Sequence, residues 1–483
     1  MGFRLSMGLG KAAVLCVASA SLGAAPVVAQ RTAPDWKQYS HQVFKQLIET
    51  NTADSVGSTT DAANKMRQRF LDAGFDPQDV VVLEAAPKRG NLIVRYRAEA
   101  ASAQKPVLFL CHLDVVEAKR SDWSVDPFTF TERDGYYYGR GTQDIKEGDA
   151  ALVTDFIRLK REGFKPKRDM ILALTSDEEG GPNNGVDWLL KNHRDLIDAA
   201  YAINPDAGSV NVDHGKVVSV GIQTAEKLYG DFVLKATNRG GHSSLPRSDN
   251  AIYELAAALE KIQRYRFPFE LNPATRSYLQ TLATTEQGQE AADLRAVTGA
   301  NPSQADIDRL SQNPELNSLV RTTCVATELS GGHAPNALPQ TATANINCRI
   351  LPGHSLREVE DQLVKIIADP QITVTFDNGG LTGNDLDAKS PQAREVDPAV
   401  MTAVKRIAAE MWPGAPVVAT MDAGASDGKY TNAAGISTYG VSPFPIDVND
   451  VRAHGRDERI PITSFDQGVT FYYEMIPMLA GAK

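Results

Sequence analysis

Acidic and imidazole side chains recur just beyond apolar runs of this chain. His112 and Asp114 follow Val107–Cys111, while Asp177, Glu178 and Glu179 follow Met170–Leu174. Asp206 follows Ala199–Ile203, and Asp144 precedes a helical stretch. His454 stands in the loop Ala453-His454-Gly455-Arg456-Asp457-Glu458-Arg459. Carboxylates gathered in one crevice repel unless cations or protons compensate them. A mixture of imidazole and carboxylate suits zinc and similar divalent ions. Paired metals in hydrolases sit about 3.5–4 Å apart, so one carboxylate can bridge them and another can serve as base. Spacing alone leaves the plainer alternative open, since acidic residues on loops are usually solvated surface.

Such residues need elements to converge them. Leu92–Tyr96, Val107–Cys111, Met170–Leu174 and Ala199–Ile203 read as strands. Asp144–Gly163 reads as an amphipathic helix, and Val186–Lys191 opens another. This alternation predicts an α/β fold with a largely parallel sheet, whose strand carboxyl ends line a ligand crevice. The pattern then changes. Strands at Asp231–Asn238, Thr322–Leu329, Thr341–Ile350 and Ile372–Phe376 interleave with helices at Asn250–Arg264 and Ser355–Ala368. That order is β-α-β-β-α-β, a ferredoxin-like arrangement. Residues 265–320 form a helical, Pro-punctuated insertion within it. After about residue 385 the α/β character returns, with a helix over Asp397–Met411, strands at Val417–Thr420 and Ile436–Val441, and a closing helix over Ile462–Leu479. We expect a catalytic domain in two parts, 30–224 and 385–483, interrupted by a lid or dimerisation domain at 225–384.

These segments resemble the M20 metallopeptidases, the group of glutamate carboxypeptidase, aminoacylase and carnosinase. Leu108-Phe109-Leu110-Cys111-His112-Leu113-Asp114-Val115-Val116 is similar to the first metal motif of that family. Tyr138-Gly139-Arg140-Gly141-Thr142-Gln143-Asp144-Ile145-Lys146 is similar to the second. Thr175-Ser176-Asp177-Glu178-Glu179-Gly180-Gly181 resembles the Glu-Glu motif, and Arg239-Gly240-Gly241-His242-Ser243-Ser244 the lid motif. Ala453-His454-Gly455 resembles the last ligand motif. The lid, with Asn336-Ala337-Leu338-Pro339 and Asn347-Cys348-Arg349-Ile350-Leu351-Pro352, looks most like the carboxypeptidase S branch.

The resemblance implies a zinc-exopeptidase-like catalytic domain and two divalent ions, zinc first, with cobalt or manganese as substitutes. His112, Asp144 and Asp206 would hold one ion. Asp144, Glu179 and His454 would hold the other. Glu178 would be the general base, Asp114 would orient His112, and His242 would come to the oxyanion from the lid of the same or of a second subunit. Asn336, Arg349 and Ser426 would contact substrate. Glu147 stands where the family often has Gly, and no role follows from it. Position 206 is Asp where some deacylases carry Glu, which mildly favours a peptidase. The implied activity is hydrolysis of an amide or peptide bond next to a free carboxylate. Its alternatives are an N-acyl-amino-acid amidohydrolase and a non-catalytic member that binds peptide or metal.

The remaining features bound the context. Of 483 residues, 42% are hydrophobic and 23% charged, which excludes wholesale disorder. The formal charge of -10, without basic runs, argues against nucleic acid or anionic membrane as partner. Arg4 and Lys11 followed by the apolar, small-residue run Ala12–Val28 predict an export signal at 1–29, cleaved after Ala29, rather than a membrane anchor. The protein is then expected in the periplasm or outside the cell, acting on a small peptide or acyl-amino-acid, with the lid as the candidate surface for a homodimer. Cys111 reads as a buried small hydrophobe. Cys324 and Cys348, on neighbouring lid strands, form a disulfide only if the register sets them opposite. His333 and His354, flanking lid turns, read as solvated.

Overall fold

The computed structural model describes residues 1, 35–376, 386–422 and 424–481. Apart from Met1, the predicted export signal falls outside them. Trp36–Lys483 forms one compact unit. No helix among the described residues is long and apolar enough to cross a membrane.

The first strands are β1 (Val80–Ala86), β2 (Arg89–Tyr96), β3 (Val107–His112), β4 (Thr131–Arg133) and β5 (Tyr136–Tyr138). The helix Lys146–Arg161 leads to β6 (Met170–Thr175), then β7 (Tyr201–Asn204), β8 (Ser209–Asp213) and β9 (Lys216–Glu226). β3 and β6 are buried along their whole length, as their unbroken apolar runs require of strands covered on both faces. The connecting helix is buried nearly throughout, so its Phe156 packs edge-on against Phe109 of β3 at 5.4 Å.

A second sheet follows. β10 (Leu228–Thr237) leaves β9 after the single residue Lys227. β11 (Gly241–His242) pairs with β13 (Ala337–Leu338) as a small ribbon. β12 (Thr323–Gly331), β14 (Thr341–Ile350) and β15 (Ile372–Phe376) complete an antiparallel sheet ordered β12-β14-β10-β15. With helices Ala251–Arg264 and Leu356–Ile367, this is the ferredoxin-like order. Four helices, from Pro273–Thr285 to Pro314–Leu319, lie between its first helix and β12. The chain then returns through β16 (Val417–Asp422), β17 (Ser437–Gly440), β18 (Pro445–Asp447) and β19 (Arg459–Pro461) to the closing helix Ile462–Leu479.

The large sheet has ten strands in the order β1-β2-β6-β3-β7-β17-β9-β8-β18, with β16 on β9. It is mixed rather than largely parallel. β6, β3, β7 and β17 run parallel, but hairpins flank them. The β8–β9 hairpin closes through His214 and Gly215, both at positive φ, which is the turn that matches strand twist.

Cys324 and Cys348 are directly opposed across β12 and β14 and are joined by a disulfide, while Cys111 is free and buried. His354 departs from expectation. Its Nδ1 lies 2.9 Å from Glu358 and its Nε2 3.0 Å from Glu270, because the turn after β14 sits between the lid helix and the helical insertion.

Candidate metal centre

β3, β6 and β7 are adjacent and parallel, so their carboxyl ends open on one side. His112 is the last residue of β3. The turn Asp177-Glu178-Glu179 follows β6, and Asp206 follows β7. Asp144 enters from the loop between β5 and its helix, and His454 from the loop before β19.

Two ligand-capable groups result. One atom each from His112, Asp144 and Asp206 lies within 4.8 Å of the others, and the same holds for Asp144, Glu179 and His454. Asp144 is shared: its Oδ1 is 3.2 Å from His112 Nε2, and its Oδ2 is 3.1 Å from His454 Nε2. His454 Nε2 also stands 2.9 Å from Glu179 Oε2. His454 is the exposed member, with 55% of its side chain accessible against 2% for His112.

His112 is held as a ligand should be. Its Nδ1 lies 3.1 Å from the carbonyl oxygen of Asp114. A carbonyl can only accept, so Nδ1 donates to it and Nε2 is the nitrogen turned toward Asp144 and Asp206, the one that would give its lone pair to a cation on losing its own proton. That Nε2 is buried, 3.2 Å from Asp144 Oδ1 and 3.8 Å from Asp206 Oδ1. A buried imidazole nitrogen facing two carboxylates fits a divalent cation. The expectation for Asp114 is refined here. Its backbone, more than its carboxylate at 3.8 Å, orients the ring. The carboxylate instead accepts the backbone N–H of Glu178 at 3.2 Å and of Glu179 at 3.0 Å.

The electrostatics fit a cation-binding site. Burial, then the charge of Asp206, pushes the Glu178 carboxyl up to about 10. Burial pushes Asp206 up to about 7, against its bond to His112. Asp144 is held below the carboxylate range because His112 and His454 outweigh its burial. Bonds to Asp144 and Glu179 raise His454 to about 10. Without cations, protons on the imidazoles and on the Glu178 carboxyl compensate the remaining carboxylates.

The other predicted residues stand elsewhere. His242 is exposed on the β11–β13 ribbon, where its Nδ1 accepts from the Ser244 N–H at 3.2 Å. Asn336 adjoins it through the Ser243 N–H, which donates to the Asn336 carbonyl at 3.0 Å. Arg349 lies with its guanidinium 4.6 Å from the Tyr229 ring centre. The Ser426 hydroxyl donates to Glu226 at 2.9 Å. The structure therefore unites His112, Asp114, Asp144, Glu178, Glu179, Asp206 and His454. His242, Asn336, Arg349 and Ser426 make their hydrogen bonds and ring contacts with other groups.

Sequence reasoning missed Asp427. Its carboxylate accepts from Thr175 Oγ1 at 3.1 Å and from Asn184 Nδ2 at 2.7 Å, bracing the turn that carries Glu178. An acidic residue far along the chain gives no sign of that contact.

The chain is 29% identical over 379 residues to an N-fatty-acyl-amino acid synthase/hydrolase of Xenopus tropicalis, covering 77% of this chain and 72% of that one. It is 30% identical over 385 residues to a probable carboxypeptidase S-like protein of Dictyostelium discoideum, covering 77% and 71%. Among solved structures, an M20 family metallo-carboxypeptidase from Sulfolobus solfataricus superposes with a TM-score of 0.65 at 17% identity, covering 91% of this chain and 99% of that one. Residues 108–477 match the peptidase family M20/M25/M40. The chain thus belongs to that family, as a metal-dependent hydrolase with a candidate dinuclear centre at the carboxyl ends of its parallel strands.

Proposed function

We propose that the protein hydrolyses an amide bond next to a free carboxylate in a small peptide, as a carboxypeptidase or dipeptidase. The observation that carries this reading is the pair of ligand groups sharing Asp144, with Glu178 beside them. His112, Asp144 and Asp206 would hold one ion and Asp144, Glu179 and His454 the other, zinc being the leading candidate and cobalt or manganese its substitutes. Bound there, two divalent cations supply Lewis acidity, polarising the scissile carbonyl and acidifying water.

The chain's own groups do the rest. Glu178 takes a proton from the attacking water and passes it to the leaving amine. His242 donates to the developing oxyanion once the lid closes. Arg349 and Asn336 read the substrate carboxylate, and Ser426 contacts the substrate. We take the lid as residues 225–384, with the catalytic domain before and after it. We also propose export after cleavage of residues 1–29, and a homodimer formed through the lid.

The similarity to the Xenopus tropicalis protein supports a second reading, hydrolysis of N-acyl-amino acids by the same groups. One experiment separates them. Metal content is measured on purified protein, which is then assayed on dipeptides and on N-acyl-amino acids of graded chain length. Faster cleavage of dipeptides supports the peptidase. Preference for long acyl chains supports the amidohydrolase. Bound metal with no cleavage of either class overturns both.

A further inference from the structure

The loops that carry Asp144 and His454 are bound into one body by a residue outside the ligand set. Glu458 is fully buried between them. Its Oε2 accepts from Arg140 Nη1 at 2.5 Å. Its Oε1 accepts the backbone N–H groups of Gly141 at 3.1 Å and Gln143 at 2.7 Å. The Glu458 carbonyl accepts the Gly139 N–H at 3.1 Å. Arg140 Nη2 reaches the His454 carbonyl at 3.4 Å. Gln143 completes the strap. Its Nε2 donates to the carbonyls of Asp450 at 3.2 Å and Arg459 at 2.7 Å, and its Oε1 accepts the Arg452 N–H at 2.7 Å.

The two ligand groups depend on this strap unequally. His112 and Asp206 sit at the ends of buried parallel strands. His454 is on a loop, half exposed and at positive φ, and beyond its direct contact with Asp144 its loop is tied to the Asp144 loop through Arg140, Glu458 and Gln143. We propose that Glu458 is a positioning residue for the Asp144, Glu179 and His454 group, setting the spacing between Asp144 and His454 at which they share one cation. Residues that orient metal ligands weigh heavily on affinity because a ligand displaced by a fraction of an ångström no longer closes the coordination sphere. The inference rests on the binuclear reading above. Its rival is that Glu458 serves stability alone, by neutralising the buried Arg140 cation.

The test titrates chelator-stripped full-length protein with Co²⁺, followed by calorimetry and visible absorption. Wild type is compared with Glu458→Gln and with Glu458→Asp, which keeps the charge opposite Arg140 but shortens the reach to the Gly141 and Gln143 N–H groups. Glu179→Gln identifies which step belongs to the His454 group. Both Glu458 variants are expected to weaken that step by about 10–100-fold, leaving the other within a few-fold. If both steps keep wild-type affinity in Glu458→Asp while its melting temperature falls, the role is stability and the inference is overturned. Equal weakening of both steps overturns it too. If wild type itself takes up fewer than two ions, the binuclear reading fails first.

Discussion

Asp114 Oδ2 accepts the backbone N–H of Glu179 at 3.0 Å, tying the segment after β3 to the turn after β6. Asp114 Oδ1 does the same for Glu178 at 3.2 Å. One carboxylate thus seats both the proposed base and a proposed ligand, while the Asp114 carbonyl orients His112. Asp114→Ala removes the carboxylate and keeps the carbonyl. Turnover should fall by about 1.5–3 kcal/mol, the size of a hydrogen bond to a charged group. Affinity at the His112 group should stay within a few-fold. If that affinity collapses with turnover, the carboxylate rather than the carbonyl holds the ring.

Glu178 and Glu179 are neighbours to which the proposed mechanism gives different work. Glu179 touches His454, whereas burial and the charge of Asp206 keep the Glu178 carboxyl ready to hold a proton. Glu178→Gln should bind both ions and lose about 10²–10⁴-fold in kcat. Glu179→Gln should release one ion. Metal analysis beside steady-state kinetics separates the two outcomes, and full activity of Glu178→Gln would remove it from the mechanism.

Metal uptake should be linked to protons, with a definite sign. In the cation-free protein the bonds to Asp144 and Glu179 push His454 up to about 10, and against its burial Asp144 and Asp206 hold His112 well above the ordinary imidazole value, so both favour the charged form at neutral pH. A ligating imidazole is neutral. Cation binding therefore expels protons, and affinity should rise with pH through neutrality and fall in acid. Calorimetry in buffers of different ionisation enthalpy reads the protons released. Chelation should also lower thermal stability, since an ion at 100 times its Kd contributes about 2.7 kcal/mol to the folded state. Affinity that stays constant between pH 6 and 8 would contradict the protonated site.

Much of this was legible in the sequence because it rests on local rules. Apolar runs marked β3 and β6. Asn250, Ser355 and Asp397, read as helix starts, are N-caps whose side chains accept from the first turn. The proposed ligands His112, Glu179 and Asp206 stood at or just past strand ends, where a parallel sheet opens its crevice. The small β4–β5 hairpin, outside the large sheet, was passed over although Asp134-Gly135 is a strong turn signal, because β4 and β5 are only three residues each. The helix Trp36–Ile48 buries Val43, Phe44, Leu47 and Ile48 at helical spacing and was equally readable. Glu458 and Asp427 were not. An isolated acid reads as surface until the fold shows what is packed against it.

Asp155 tests the energetics away from the site. It is fully buried on the helix Lys146–Arg161, and neither carboxylate oxygen has a hydrogen-bond partner. Burial pushes its carboxyl well above the usual range. The unfolded carboxyl titrates near ~3.9, so above that pH the folded state holds the extra proton and stability falls as pH rises. Asp155→Asn removes the titration. The variant should match wild type near pH 4 and exceed it by about 1–3 kcal/mol at pH 8. Urea unfolding at the two pH values checks this, and equal differences at both would show that Asp155 is solvated in solution.

Arg349 bears on what is recognised. It lies in β14 opposite Tyr229 of β10, near the point where β10 leaves β9, with its guanidinium over the Tyr229 ring. Stacking on a ring fixes the plane of the fork, and a planar fork suits a carboxylate with two parallel bonds. A matched pair of substrates, one with a free C-terminal carboxylate and one amidated, isolates that contact. In wild type the amidated substrate should lose about 1.5–3 kcal/mol in kcat/KM. Arg349→Ala should erase most of the difference, and Arg349→Lys should restore part of it, since a point charge cannot make both bonds. Tyr229→Leu, which removes the ring and keeps the guanidinium, should narrow the gap through KM more than kcat if the ring serves to orient the fork. Equal cleavage of both substrates by wild type would refute carboxylate recognition, and an aminopeptidase reading the substrate's amine would then fit better.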